Sequence, residues 1–221
     1  MNIIDILGPV MIGPSSSHTA GAVRLGLLAV GVLGSKPVKA EIFLHGSFAE
    51  TYKGHGTDMA LLAGLMGWLP DDERIPNADK FAKESGLEFT FTKTDLGNLT
   101  HPNTAMFQLT AADGSKCEVV GASIDGGQVQ ITSIDGYPVE LTGKLPAILT
   151  VHEDRRGTIA LVTSTLANAG VNVATMRLFR SNKGGLASMV IECDENVPGE
   201  IINLIGALQQ IHSVRFISSV A

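Results

Sequence analysis

The chain has 221 residues, room for one large domain or two modest ones, each able to bury a core. Hydrophobic residues make up 44% and charged residues 17%, an ordinary globular composition, and the net charge of −6 argues against a nucleic-acid partner because phosphate favours a basic surface. Apolar stretches such as Leu25–Leu33 are short and broken by glycine, which argues against a membrane span.

In chain order, Met1-Asn2-Ile3-Ile4-Asp5 lacks the basic region and cleavage site of a signal peptide. Residues 19–33 pattern as a buried helix despite their glycines. Val38–Leu44 alternates as a strand and leads into a polar, glycine-rich loop over His45–Asp58. Met59–Trp68 reads as a second apolar helix, and residues 70–85 as charged surface. Strand-like runs follow at Leu87–Thr92, Thr104–Ala111, Cys117–Ser123 and Val129–Ile134. Turn signals at Asp113-Gly114, Gly126-Gly127 and Asp135-Gly136 separate the later ones. Gly143 and Pro146 then interrupt the pattern, which puts a domain boundary within Leu141–Pro146.

The last third is the clearest. Ala147–His152 patterns as a strand, and Ile159, Val162, Leu166 and Ala169 recur at helical spacing up to the stop at Gly170. Val171–Phe179 and Leu186–Cys193 form a hairpin through Ser181-Asn182-Lys183-Gly184-Gly185, with Ala187, Met189, Ile191 and Cys193 on one face. Pro198 introduces a helix with the stripe Ile201, Leu204, Ile205 and Leu208, and Val214–Ile217 closes as a strand. The order is β-α-β-β-α-β, the ferredoxin-like split βαβ arrangement. The fold class is therefore α+β: a mixed α/β domain over residues 1–145 and a βαββαβ domain over 147–221.

Three polar segments could carry chemistry. Gly13-Pro14-Ser15-Ser16-Ser17-His18-Thr19 packs four hydroxyls and an imidazole just before a helix, where free N–H groups attract carboxylate or phosphate. A plain helix cap with solvated serines explains the same residues. His45–Asp58 carries two histidines, His45 and His55, beside Ser47 and Thr57; glycines 54 and 56 permit close backbone approach to a ligand. The competing view is a flexible loop in which Thr57 or Asp58 caps the next helix. Asn98–Thr104 is weaker, a turn-forming composition that matters only if the fold brings it to the other two. Cys117 and Cys193 stand alone on strands, so both are expected in cores, no metal site is expected in this chain, and a reducing compartment, the cytoplasm, is implied.

Taken together, Ile12-Gly13-Pro14-Ser15-Ser16-Ser17-His18-Thr19-Ala20-Gly21, His45-Gly46-Ser47 and Lys53-Gly54-His55-Gly56-Thr57-Asp58 resemble the β subunit of bacterial iron–sulfur-dependent L-serine dehydratases. Residues 147–221 resemble an ACT domain. The resemblance implies conversion of L-serine to pyruvate and ammonia, with a [4Fe–4S] cluster held by the cysteines of a separate α subunit. It further implies that Ser15, Ser16, Ser17 and Thr19 hold the substrate carboxylate, aided by Ser47 and His55, while His18 and His45 handle protons or orient substrate. In the ACT-like part, Asp154 and Gly157 fall in the usual effector turn, although Arg156 stands where many relatives have proline. Pairing of ACT domains between two copies is a further implication. A different class remains open: a non-catalytic regulator that senses serine or another anion with the same residues.

Overall fold

The computed structural model describes residues 10–98, 100–180 and 182–220; Met1–Asp5, Leu99 and Ser181, which the sequence patterns above include, lie outside it. Its elements are α1 (Gly21–Leu33), preceded by a π-helical turn at Ser16–Ala20, then β1 (Pro37–His45), α2 (Gly46–His55), α3 (Thr57–Leu65), α4 (Ala78–Glu84) and β2 (Glu88–Lys93). There follow β3 (Thr104–Ala111), β4 (Lys116–Ser123), β5 (Val129–Ile134), β6 (Tyr137–Leu141) and β7 (Ala147–Glu153). The chain ends with α5 (Thr158–Asn168), β8 (Val173–Arg180), β9 (Leu186–Cys193), α6 (Gly199–Gly206) and β10 (Ile211–Ile217). Contacts divide it into two units, Met1–Asp135 and Gly136–Ala221.

In the first unit the strands run β2-β1-β3-β4-β5, with β1 and β2 parallel and the remaining pairs antiparallel. Period-two alternation sends Ala40, Ile42, Leu44, Phe107, Leu109 and Val119 to the face that α1 covers, and all are buried. The π turn and α1 form one apolar helical stretch, Ser16–Leu33, long enough by length and composition to cross a membrane, yet 56% of it is buried within the protein. It packs on α3 through glycines. A Cβ on Gly64 would lie 2.1 Å from the Val23 carbonyl oxygen, and one on Gly26 2.6 Å from that of Leu61. Only residues without side chains let these two backbones meet.

The segment after β1 is a helix, α2, where a loop is expected from composition. Its only buried residues are Phe48 and Ala49, so it has no apolar stripe to advertise it. Gly56, at φ 66°, ends α2 and opens α3 with no side-chain cap from Thr57 or Asp58. The span expected as charged surface also contributes to the core, since Ile75, Ala78 and Ala82 are buried.

The second unit has the order β10-β7-β9-β8, every pair antiparallel, with α5 and α6 on one face. Ile148, Val162, Leu166, Met189, Ile191, Cys193 and Ile205 form its core. Three stripe positions differ from the sequence pattern: Ile159, Ala169 and Leu204 are exposed, with Ile202 packed against the core in place of Leu204. The strand β6, unmarked in the sequence, covers the opposite face. Ser188 donates to the Pro138 carbonyl at 2.9 Å, Arg177 pairs with Glu140, and Val190 is buried beneath them.

Candidate functional site

Ser15 is extended, and its Oγ caps the helical turn by accepting from the His18 N–H at 3.3 Å. The turn that follows is π-helical, a geometry often found at functional positions. It carries the His18 ring between two hydroxyls: Ser15 Oγ lies 3.5 Å from Nδ1 and Ser47 Oγ lies 3.2 Å from Nε2. Each hydroxyl can donate or accept, so a neutral imidazole is matched on both sides. Ser47 reaches this point because it sits in the first turn of α2, which begins where β1 ends. Phe48 meets the same ring edge-on at 5.1 Å, and His55, one helix-length further, stacks on it at 4.8 Å. Burial first, and then the His55 charge, hold the His18 pKa below its ordinary 6.5. His18 is therefore uncharged at neutral pH, fit to accept a proton or a hydrogen bond.

Beside this cluster lies a cavity of about 470 Å³, lined by Gly13, Thr19, Lys53, His55, Gly56 and Asp58 among others. Thr19 is buried, and its Oγ1, like Thr57 Oγ1 and His55 Nδ1, has no hydrogen-bond partner among the described residues. Buried polar atoms left unmatched mark a place where a ligand or water completes the bonding. Asp58, with its side chain 3% exposed, accepts from Lys53 Nζ at 2.8 Å and from the Met59 N–H. That bond raises the Lys53 pKa.

The residues named from sequence therefore separate. Ser15, His18, Ser47 and His55 come together, and Thr19 lines the adjoining cavity. Ser16 belongs to the π turn itself, and Ser17 turns away to the Ile124 carbonyl at 3.5 Å. His45 also points elsewhere: its Nδ1 accepts from the Leu96 N–H at 3.1 Å. The third polar segment does come near, since Phe48 N–H reaches the Pro102 carbonyl and a Cβ on Gly46 would lie 2.7 Å from Pro102. Lys53 and Asp58 were not among the residues singled out for a ligand; their spacing across a helix end gave no signal without knowledge that residues 46–55 are helical.

In the second unit Asp154 Oδ2 accepts from Arg180 at 2.9 Å and from the Gly184 N–H at 3.0 Å. These two donors lower its pKa. Gly157, at φ 90°, starts α5. Among the described residues no group of three or more His, Cys, Asp or Glu could hold a metal ion. Both cysteines are buried, and burial pushes the Cys193 thiol up to about 11. Two cysteines, one in each unit, fall short of the set of thiolates that an iron–sulfur cluster takes, so this chain's residues do not fit such a centre.

Fold and site define a two-part chain, an α/β unit with a polar helix-start site followed by a ferredoxin-like unit of the ACT type. Residues 2–95 match the family model "Serine dehydratase beta chain" and residues 147–210 match the ACT domain. A Bacillus subtilis protein named "Probable L-serine dehydratase, beta chain" is 44% identical over 96% of both chains. The L-serine dehydratase beta chain of Peptoniphilus asaccharolyticus is 34% identical, again over 96% of each. This chain belongs to the L-serine dehydratase beta-chain family. A D-3-phosphoglycerate dehydrogenase of Methanocaldococcus jannaschii is also 30% identical over 89% of this chain, which spans 37% of that longer protein.

Proposed function

We propose that this chain is the β subunit of an iron–sulfur-dependent L-serine dehydratase, converting L-serine to pyruvate and ammonia with an α subunit that holds the [4Fe–4S] cluster. The observation that carries this reading is the neutral His18 imidazole set between the Ser15 and Ser47 hydroxyls at a helix start. The free N–H groups of the turn, with the Ser15 and Ser16 hydroxyls, attract the substrate carboxylate. His18 has the protonation state needed to receive or relay a proton, and Thr19 and His55 offer unmatched polar atoms beside it. On this reading the partner's cluster supplies the chemistry on the substrate hydroxyl. We assign residues 1–145 to the β-chain domain and the cytoplasm as its location.

The ACT unit serves regulation or assembly, with Asp154 and Gly157 in the effector turn and pairing between two copies. Asp154 is already engaged by Arg180 and Gly184, so an effector would compete for that carboxylate.

One observation favours a second reading. The Methanocaldococcus relative shares 30% identity over 89% of this chain while carrying a dehydrogenase name, so much of this architecture is compatible with a different reaction. Under that reading the chain senses serine or another anion without catalysis. Co-expression with the cysteine-bearing partner separates the two. A brown, oxygen-sensitive complex that deaminates L-serine supports the enzyme subunit. A colourless chain that binds serine tightly by itself, and adds nothing to the partner's activity, supports the sensor.

A further inference from the structure

The helix that carries His18 has a second polar face. Ser17, Gly21 and Arg24 recur at helical spacing and meet the segment Ile124–Gln128, which joins β4 to β5. Arg24 Nη1 donates to the Gly127 carbonyl at 2.9 Å, and Ser17 Oγ donates to that of Ile124. The fit between them is close. A Cβ on Gly21 would lie 1.9 Å from Ser123 Oγ, and one on Gly127, which holds φ at +77°, would lie 3.1 Å from the Ser16 carbonyl oxygen. The segment is thus seated against the π turn.

Arg24 is an expensive way to make this contact. It is half-buried, and among the described residues its buried Nε has no hydrogen-bond partner and no carboxylate forms an ion pair with it. Burial alone lowers its pKa. A cation partly buried without a counter-charge is a costlier donor to this carbonyl than a neutral side chain would be.

We infer that Arg24 is a positioning residue: by holding Gly127 it seats the Ile124–Gln128 segment behind the serine turn and fixes where Ser15, Ser16 and His18 stand. This inference rests on the reading of that turn as substrate-facing.

The test is steady-state kinetics on the reconstituted two-chain enzyme with Arg24→Met and Arg24→Lys, alongside melting of each β chain. Arg24→Met is expected to raise KM for L-serine about tenfold, the loss of one charge-assisted hydrogen bond's worth of placement, with kcat within about threefold. Its melting temperature should stay close to the parent's, since removal of the unpaired charge offsets the loss of the donor to the Gly127 carbonyl. Arg24→Lys restores a donor and returns KM most of the way. A parental KM in Arg24→Met overturns the inference, and so does a joint fall of melting temperature, kcat and kcat/KM, which would mark a merely structural residue. Should Arg24→Met fail to assemble, Gly126→Ala reads the same effect from the segment side, because φ there is +65°; a raised KM supports the inference and an unchanged one overturns it. Ser15→Ala keeps the two readings apart. If it leaves KM unchanged, the substrate-facing turn itself has failed; if it raises KM and Arg24→Met does not, only the role of Arg24 has.

Discussion

The imidazole rings of His18 and His55 lie 4.8 Å apart, centroid to centroid, with 40° between their planes. One belongs to the turn before α1 and the other to the last residue of α2, so the contact ties the serine-rich turn to the Lys53–Asp58 segment. Two rings this close do not both carry charge readily.

The first expectation concerns pH. His18 and His152 both have pKa values below 6.5 in the folded chain, each chiefly through burial. Above pH 6.5 folded and unfolded forms are alike in carrying neutral rings. Below it the unfolded chain takes up protons first, so stability falls with pH from 6.5 down to the lowered folded values. Thermal melts should be nearly level from about pH 7.5 to about pH 7 and decline from there to about pH 5.5, above the carboxylate pKa values. A flat profile would contradict it.

Replacing the neighbour tests the smaller of the two causes of the shift at His18. His55→Gln removes the opposing charge but leaves His18 buried. The His18 titration, followed by NMR of its ring proton, should move up towards 6.5 without reaching it. A downward move would mean the two rings do not interact as drawn.

The contact between α1 and α3 depends on Gly64 more than on any cap. Gly64→Ala forces a Cβ to within 2.1 Å of the Val23 carbonyl oxygen, so the helices must separate. Overpacking of this kind should cost about 1–3 kcal/mol, read by urea denaturation of the isolated chain.

Asp154 holds the β8–β9 hairpin tip to the β7–α5 turn through Arg180 and Gly184. In Asp154→Ala the Gly184 amide loses its acceptor. Its hydrogen exchange should quicken by about tenfold or more, with core amides of β9 unchanged.

How far the sequence carried these conclusions depended on how each element makes its contacts. In β9, Ala187, Met189, Ile191 and Cys193 alternate cleanly and all are buried, so pattern alone was enough. Helix α2 was hidden because polar residues and two glycines make up most of it and only Phe48 and Ala49 are buried. Strand β6 was hidden by its flanking turn and by Pro138, which serves through its carbonyl rather than an N–H. At the site, the hydroxyl cluster was visible in residues 15–19, but its division was not. Ser17 and His18 are adjacent in sequence, and the turn points one at Ile124 and the other at Ser47. Nor could spacing bring Pro102 to Gly46, a contact made across the β1–β3 pairing.

The central claim is that His18, held between Ser15 and Ser47, serves the reaction of L-serine. The direct measurement is turnover of the α–β complex reconstituted with His18→Ala. The account predicts a loss of kcat/KM of about a hundredfold or more, the scale of a lost proton-transfer group, with the complex still assembled. Unchanged turnover and unchanged KM in an assembled complex would contradict it.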